Sequence, residues 1–372
     1  MSQPKPKSVD TILLTIVVML VASGFLIFSS ASLGLLSRDG ASFGSVAFSQ
    51  FAFGIIGGSI ALFITSNIYY RNWRRFAFYI FAASLILTAA VFIPGIGMSH
   101  GGATRWLNLG FTSVQPSEFL KIGFVIYLAT WFSGLHKKIN DWRYGLVPFL
   151  GTLAIVGVIM LAQPDTDTFV IMAAAGMAMF VAAGAKWQHI IGIIAAGIIG
   201  ILIIALFRPY VMERLTTFLD PEADPLGSGY QIQQSLIAIG SGGAVGRGFG
   251  QSIQKFEYLP EPIGDSIFAV YAEEFGFLGT SILLIALVSF ALRGYKTAAQ
   301  SDDIFGTLLV TGFITVIIAQ AFLNIAAMTG MAPLSGLPLP FISHGGTALM
   351  ATLAALGIVL NVSKYRTFKK SA

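Results

Sequence analysis

Residues 188–207 read QHIIGIIAAGIIGILIIALF, a run of twenty residues without a charged side chain. About 20 mostly apolar residues form a helix long enough to cross the hydrocarbon core of a bilayer, so this stretch predicts a transmembrane helix. The whole chain has the same character: of its 372 residues, 55% are hydrophobic and only 10% are charged. Soluble domains carry about 25% charged residues, which excludes a water-soluble globule and a disordered chain. The sequence therefore predicts an all-α polytopic membrane protein.

Ten segments meet this criterion, and the basic residues between them set their orientation. The predicted spans are roughly 11–31, 45–66, 76–94, 117–133, 146–163, 168–184, 188–207, 266–292, 304–328 and 343–362. With the N-terminus in the cytoplasm, fifteen of the 22 Lys and Arg residues lie on the cytoplasmic side and six lie outside, as the positive-inside rule requires. We therefore expect one domain over 1–372 with ten spans and both termini cytoplasmic. The same clustering favours anionic lipid over nucleic acid as the partner of the net charge of +5.

The first apolar segment has a second interpretation, because Lys5 and Lys7 precede it and SSA at 29–31 is similar to a signal-peptide cleavage site. Its apolar run of about 20 residues is longer than the hydrophobic region of a typical signal peptide. We therefore expect an uncleaved membrane anchor.

One long extracytoplasmic connection, residues 208–264, joins the seventh and eighth predicted spans, and connections of this length are usually functional. Apolar residues recur at near-helical spacing over 230–239, which predicts a short helix that lies at the membrane interface or packs on the bundle. The following segment, GSGGAVGRGFG at 240–250, follows no strand and precedes no Lys-Ser/Thr helix. It therefore does not match a nucleotide-binding loop, and we interpret it as a flexible segment near a ligand.

Ionisable residues at the rim of a span are candidates for function because they are expensive to bury. Glu118 and Lys121 lie three residues apart and so share one face of the fourth helix. They either neutralise each other and fix packing, or line a polar cavity with Arg105 of the preceding loop. In the second case Arg105 and Lys121 suit a pyrophosphate, which needs fixed cationic donors.

Five further carboxylates occupy similar positions. Asp165 and Asp167, in a tight hairpin, are either turn residues or ligands of a divalent cation. Asp265 precedes the eighth span and is either a helix N-cap or a general base at the membrane–water boundary. Glu273 and Glu274 lie about two turns deeper, so at least one is expected to face the bundle interior and to pair with a cation or be protonated.

The connection between the last two predicted spans, PLSGLPLPFISHGG at 333–346, contains three prolines and a Gly pair. These residues prevent a regular helix, so the backbone needs protein partners or a polar cavity. Ser343 and His344 are the side chains that we expect to meet a ligand, although a single His is also a common structural residue.

Taken together, these segments resemble the SEDS family of cell-wall proteins, which includes RodA, FtsW and SpoVE. The motifs that carry the resemblance are GATRWL at 102–107, QPSEFLK at 115–121, QPD at 163–165, DPLGSGYQ at 224–231, YLPE at 258–261, DSIFA at 265–269, EEFG at 273–276 and GLPLPFISHGG at 336–346. Residues 231–234 and 252–258 look more like FtsW than like RodA.

The resemblance implies a peptidoglycan glycosyltransferase that polymerises lipid II with Asp265 as general base and releases undecaprenyl pyrophosphate. It implies work with a class B penicillin-binding protein and other membrane proteins of cell division or elongation, in the bacterial cytoplasmic membrane and at the division septum. The expected substrate contacts are Arg105, Glu118, Lys121, Asp165, Gln231, Lys255, Ser343 and His344. No organic cofactor is implied, and a divalent cation, Mg²⁺ or Mn²⁺, stays open. Two alternatives remain: a lipid II flippase, and a scaffold that activates a penicillin-binding protein.

Overall fold

The computed structural model describes residues 6–37, 43–100, 103–108, 110, 113–220 and 227–366. Its helices are α1 (Thr11–Ser32), α2 (Phe43–Ser49), α3 (Gly58–Asn67), α4 (Arg71–Ala89), α5 (Pro116–Leu135), α6 (Leu146–Ala162), α7 (Thr166–Ala182), α8 (Trp187–Phe207), α9 (Pro209–Leu219), α10 (Ser228–Ser241), α11 (Ile267–Ala299), α12 (Ile304–Met328) and α13 (Gly346–Ser363). A π-helix, Gln50–Gly57, joins α2 to α3. The predicted helical membrane protein is confirmed at this coarse level.

Eight helical segments within the described residues are long and apolar enough to cross a membrane: Thr11–Leu36, Val46–Asn67, Arg71–Phe92, Pro116–Leu135, Trp187–Phe207, Ile267–Ala299, Ile304–Met328 and Gly346–Ser363. The fifth and sixth predicted spans correspond to α6 and α7, which are shorter apolar helices of 17 residues each. Among the eight segments, α13 and α12 are the most buried and α8 is the least. The core therefore centres on α12 and α13, and α8 lies at the periphery.

Asp10 caps α1 and forms a cluster of charged residues at one end of the bundle. The Asp10 carboxylate accepts a hydrogen bond from the Leu13 backbone N–H at the start of α1 (3.1 Å), and such a cap satisfies an orphan donor of the first turn. The same carboxylate pairs with Arg293 on α11 (2.9 Å) and with Arg366 (2.7 Å). Burial opposes the charge of Asp10, but the hydrogen bond from Arg293 and the two guanidinium groups together lower its pKa.

A small sheet at residues 97–114 was not predicted. Its strands, β1 (Gly97–His100), β2 (Ala103–Asn108) and β3 (Ser113–Val114), are antiparallel in the order β1-β2-β3. Gly97 pairs with Leu107, and Leu107 pairs with Val114. The sheet holds Arg105 on its central strand, and the motif residues 102 and 224–226 lie outside the described part of the chain.

The helix predicted at 230–239 is present as α10, which packs against α11 and α12. Its buried face consists of Ile232, Ser235 and Ala238, whereas Leu236 and Ile237 are about half exposed. The packing on the bundle is thus confirmed, and the exposed apolar pair is compatible with an interfacial position.

The glycine-rich segment 240–250 pairs with a break in α11 rather than forming a free loop. Gly276 has a φ of 63° and interrupts the helix, a conformation that favours glycine. The Phe277 N–H donates to Gly243 O (2.9 Å), and the Gly248 N–H donates to Glu274 O (2.9 Å). A Cβ at Gly246 would clash with the Glu274 carbonyl. The prediction of a flexible segment is therefore wrong, because close backbone approach explains its glycines.

Candidate active site

The segment 333–345 is an irregular loop held by side chains from several elements. Ser343 Oγ accepts from the Leu339 N–H (2.7 Å) and donates to Gly264 O (2.6 Å). The Gln50 amide, at the start of the π-helix, bonds to Ser343 O (3.2 Å) and to the Gly345 N–H (3.0 Å). The prediction that 343–345 begin the last span is wrong, since these residues complete the loop before α13. Ser343 ties the loop to the residues that precede Asp265.

Asp265 lies directly before α11, in the turn that this loop contacts. Ser266 occupies the N-cap position, so the N-cap interpretation of Asp265 does not hold. Oδ1 of Asp265 is buried and has no hydrogen-bond partner within the described residues. Burial, followed by the charge of Glu261, raises the pKa of Asp265 to about 7 although the Gln231 amide favours the carboxylate. A carboxyl group with this pKa suits proton transfer near neutral pH.

Gln231 and His344 contact residues near Asp265 in the chain. The Gln231 amide on α10 donates to Ser266 Oγ (3.0 Å). The His344 backbone N–H donates to Ile263 O (2.7 Å), and its ring stacks on Phe28 with centroids 5.9 Å apart. Burial lowers the pKa of His344, and its Nε2 has no partner among the described residues. The structure thus brings Asp265, Gln231, Ser343 and His344 together.

A second polar group centres on the predicted pair on α5. Lys121 Nζ lies 2.8 Å from Glu118 Oε2, and both side chains are less than a tenth exposed. Lys121 also donates to Gln320 Oε1 on α12 (2.8 Å). Glu118, Lys121, Gln320 and Pro340 help to line a small cavity of about 20 Å³, which has room for about one water molecule. The charges therefore neutralise each other at the wall of this small cavity. The alternative, in which the pair lines a substrate cavity with Arg105, stays a prediction.

Arg105 and Asp165 form the rim of this group. The Arg105 guanidinium donates to the Pro164 carbonyl, and its Nη1 lies 3.7 Å from Asp165 Oδ1. Burial raises the pKa of Asp165, while the charge of Arg105 opposes the rise. Asp167 instead pairs with Arg214 on α9 (2.6 Å). The described residues contain no cluster of three or more His, Asp or Glu side chains that could hold a metal ion.

Lys255 belongs to neither the Asp265 group nor the Glu118–Lys121 group, because its polar contacts are with other residues. Its ammonium is fully buried and contacts Glu274 Oε1 (2.7 Å), Gly250 O (2.9 Å) and Ser30 Oγ (3.2 Å). Glu273 accepts from Ser252 Oγ (2.5 Å) and lies 3.4 Å from Arg247. Both glutamates are thus buried and paired with cations, as expected. The contacts of Lys255 are those of a structural residue, and its role as a substrate contact stays a prediction.

Sequence reasoning missed three amides that hydrogen-bond to the loop 333–345. Gln320 and Asn324 lie one turn apart on α12, and Gln50 begins the π-helix. Asn324 Nδ2 donates to Asp265 O (2.7 Å) and to Leu337 O (2.8 Å), and Gln320 Nε2 donates to Pro338 O (2.8 Å). An available signal was the pair of amides at i, i+4 near one end of an apolar span, since polar side chains there are usually functional.

Comparisons with known proteins identify the family to which the chain belongs. A family model described as "Cell cycle protein" and covering FtsW, RodA and SpoVE matches residues 10–368. The chain belongs to this family. "Stage V sporulation protein E" of Bacillus subtilis (strain 168) is 38% identical over 364 residues, which cover 98% of this chain and 99% of that protein.

Other relatives place the chain on the FtsW side of the family. The "Probable peptidoglycan glycosyltransferase FtsW" of Geobacter metallireducens is 37% identical over 306 residues, which cover 82% of each chain. The FtsW protein of Halothiobacillus neapolitanus, with the same name, is 38% identical over 358 residues, 95% of this chain and 86% of its own. The family assignment from the motifs is therefore confirmed.

Two solved structures share the fold. One is a chain from a peptidoglycan synthase complex that coordinates polymerization and crosslinking, with a TM-score of 0.80 and 28% identity over 97% of this chain and 99% of that chain. The other is the rod shape determining protein RodA of Thermus thermophilus, with a TM-score of 0.70 and 25% identity over 96% of this chain and 98% of that chain. The fold is thus that of RodA.

Proposed function

We propose that this protein is a peptidoglycan glycosyltransferase that polymerises lipid II into glycan strands and releases undecaprenyl pyrophosphate. The observation that carries the proposal is the Asp265 carboxyl group, whose buried Oδ1 has no partner within the described residues and whose pKa is raised to about 7. The FtsW relatives, which are named probable peptidoglycan glycosyltransferases, support the reaction class.

In this proposal Asp265 acts as the general base. Its carboxylate takes the proton of the acceptor sugar hydroxyl while the hydroxyl oxygen attacks the anomeric carbon of the donor. The bond from that carbon to the pyrophosphate breaks, and undecaprenyl pyrophosphate leaves with the electron pair. A base with a pKa near the working pH combines a useful ionised fraction with a strong driving force for proton transfer. Gln231, Ser343 and His344 then contact the sugars beside it.

The cationic side of the site stabilises the leaving group. Lys121 and Arg105 hold fixed charges near the cavity wall and the hairpin, and preorganised cations are effective where negative charge develops. Glu118 fixes Lys121, and Asp165 accepts hydrogen bonds from substrate donors. The Asp165 carboxylate lies near Arg105 and has no hydrogen-bond partner within the described residues. It is the acidic group that a Mg²⁺ or Mn²⁺ ion would find here, and no step of the proposed reaction requires such an ion.

The proposal includes a ten-span topology in the bacterial cytoplasmic membrane, with both termini in the cytoplasm and residues 208–264 outside. A helix of 17 residues is about 25 Å long, which is at the lower limit for a span, so α6 and α7 complete the ten. The Asp10 cluster then lies at the cytoplasmic end and Asp265 at the outer end. A class B penicillin-binding protein is the proposed partner, together with other division or elongation proteins at the septum. The complex that contains the structural relative supports this assignment.

The test is polymerisation of lipid II by the purified protein with its cognate class B partner, whose transpeptidase serine is disabled. Glycan strands that depend on this protein would support the polymerase. Movement of lipid II across vesicles without any polymer would instead identify a flippase. Polymer that depends on this protein but forms equally with its Asp265→Asn variant would identify a scaffold that activates the partner.

A further inference from the structure

Two buried amides on α12 occupy an unusual position for an apolar span. Gln320 is 5% exposed and Asn324 is fully buried. A buried amide is unfavourable unless it is hydrogen-bonded, so the partners of these side chains account for their presence. Both donate to the same stretch of the irregular loop: Gln320 to Pro338 O (2.8 Å) and Asn324 to Leu337 O (2.8 Å).

The other contacts of these amides lead to the two charged groups of the candidate site. Gln320 Oε1 accepts from Lys121 Nζ (2.8 Å), and Asn324 Nδ2 also donates to the backbone carbonyl of Asp265 (2.7 Å). Four helical residues span about 6 Å along the axis. The two amides therefore connect the ammonium of Lys121 to the backbone of Asp265, and α12 fixes the distance between the amides.

We propose that Gln320 and Asn324 are positioning residues that set the placement of Lys121 relative to Asp265. The inference rests on the proposed function, in which Lys121 meets the pyrophosphate and Asp265 meets the acceptor hydroxyl. Gln320 acts through Lys121, and Asn324 acts through Asp265. Their shared attachment to residues 337–338 couples both groups to one loop.

A role limited to loop packing does not account for the acceptor side of Gln320. Lys121 has three N–H donors, and Glu118 and Gln320 are its two acceptors within the described residues. Glu118 alone leaves the ammonium free to swing about one contact, whereas Gln320 from a second helix fixes its direction. The third N–H donor of Lys121 has no acceptor within the described residues and is therefore available to an anion of the substrate.

The variants Gln320→Met and Asn324→Leu remove the amides while keeping similar volume. Thr311→Val is the matched control, because Thr311 is a buried polar residue of the same helix. Within the described residues its hydroxyl bonds only to Thr307 O of that helix (2.8 Å). Two measurements are made on the full chain with its partner: the affinity for undecaprenyl pyrophosphate, and the kcat and KM of lipid II polymerisation. Thermal unfolding is followed for every variant.

We expect Gln320→Met to weaken pyrophosphate binding and to raise KM on the order of tenfold, since hydrogen bonds to charged groups are worth that much. Asn324→Leu is expected to lower kcat with little change in KM and to move the acidic limb of the pH–rate profile. Thr311→Val is expected to match wild type in all three.

Wild-type binding and kinetics in Gln320→Met and Asn324→Leu would overturn the inference. So would losses that simply follow the change in unfolding temperature and that appear equally in Thr311→Val. The binding measurement separates this inference from the proposed function. If the affinity for undecaprenyl pyrophosphate depends on Gln320 but the protein makes no glycan, the positioning role of Gln320 stands and the polymerase is excluded.

Discussion

The buried pair Glu118–Lys121 gives the sharpest prediction about the cavity wall. Its atoms are 2.8 Å apart, and the side chains are 4% and 7% exposed. Lys121→Met therefore leaves the Glu118 carboxylate without its cation in a buried site. Removal of one member of a buried pair costs about 3–5 kcal/mol of the free energy of unfolding, and we expect a loss in this range.

The double variant Glu118→Gln/Lys121→Met replaces both charges by neutral groups of similar size. Replacement of a buried ion pair by neutral side chains is often close to neutral in stability, so most of the loss is expected to return. Because each single variant is expected to lose about 3–5 kcal/mol and the double variant only a small part of that, the coupling free energy between the two sites is expected at about 5 kcal/mol or more, above the usual range for contacting residues. Polymerisation, in contrast, is expected to stay lost, because the cation for the pyrophosphate is absent.

The assay is reversible unfolding of all four proteins in mixed micelles, with lipid II polymerisation measured on the same preparations. Single variants as stable as wild type would refute the buried-charge argument. A double variant that regains both stability and full activity would show that the pair serves packing alone.

Three further perturbations test other parts of the account. Because the pKa of Asp265 is raised from 3.8 to about 7, polymerisation should fall about tenfold per pH unit below pH 7; a rate independent of pH between 5 and 8 would contradict this. The raised pKa also means that the contribution of Asp265 to stability is present below about pH 4 and is lost as the pH rises through 7. Asp265→Asn should therefore unfold at a higher temperature than wild type at pH 8, but not at pH 4. Gly276→Ala should lower the free energy of unfolding by about 2 kcal/mol, because the φ of Gly276 is 63° and a Cβ there would clash with the Gly246 backbone. The control Gly240→Ala places its Cβ in open space and should be neutral or slightly stabilising in the same unfolding assay. Lys255→Met should lower the free energy of unfolding by about 3 kcal/mol. The double variant Lys255→Met/Glu274→Gln should recover that stability and keep the wild-type KM for lipid II. A raised KM in the stable double variant would instead identify Lys255 as a substrate contact.

Some of the site could be predicted because it depends on local spacing. Glu118 and Lys121 are three residues apart, so any helix through them brings them together, and the observed ion pair follows. Glu273 and Glu274 lie inside an apolar segment, so their pairing with Arg247 and Lys255 was required by the cost of buried charge. The family resemblance added Asp265 and its neighbours as a set.

Other features depend on contacts between distant segments and could not be read from spacing. The glycine-rich segment 240–250 resembled a flexible loop, yet its glycines allow close approach to the break at Gly276. Gln320 and Asn324 lie in a strongly apolar segment, so the sequence predicted a membrane span there and not their polar contacts. The final helix begins at Gly346 rather than at 343, because the Ser343 side chain caps loop carbonyl and N–H groups instead of entering a helix.

The most direct test of the central claim compares Asp265→Asn with wild type in single-turnover polymerisation of lipid II, with the partner's transpeptidase serine disabled. Lipid II binding, complex formation and folding are measured for both proteins in the same preparations. The account predicts that Asp265→Asn binds lipid II as tightly as wild type and releases no undecaprenyl pyrophosphate. Equal release of undecaprenyl pyrophosphate and equal glycan from both proteins would contradict it, because the base would then not be Asp265.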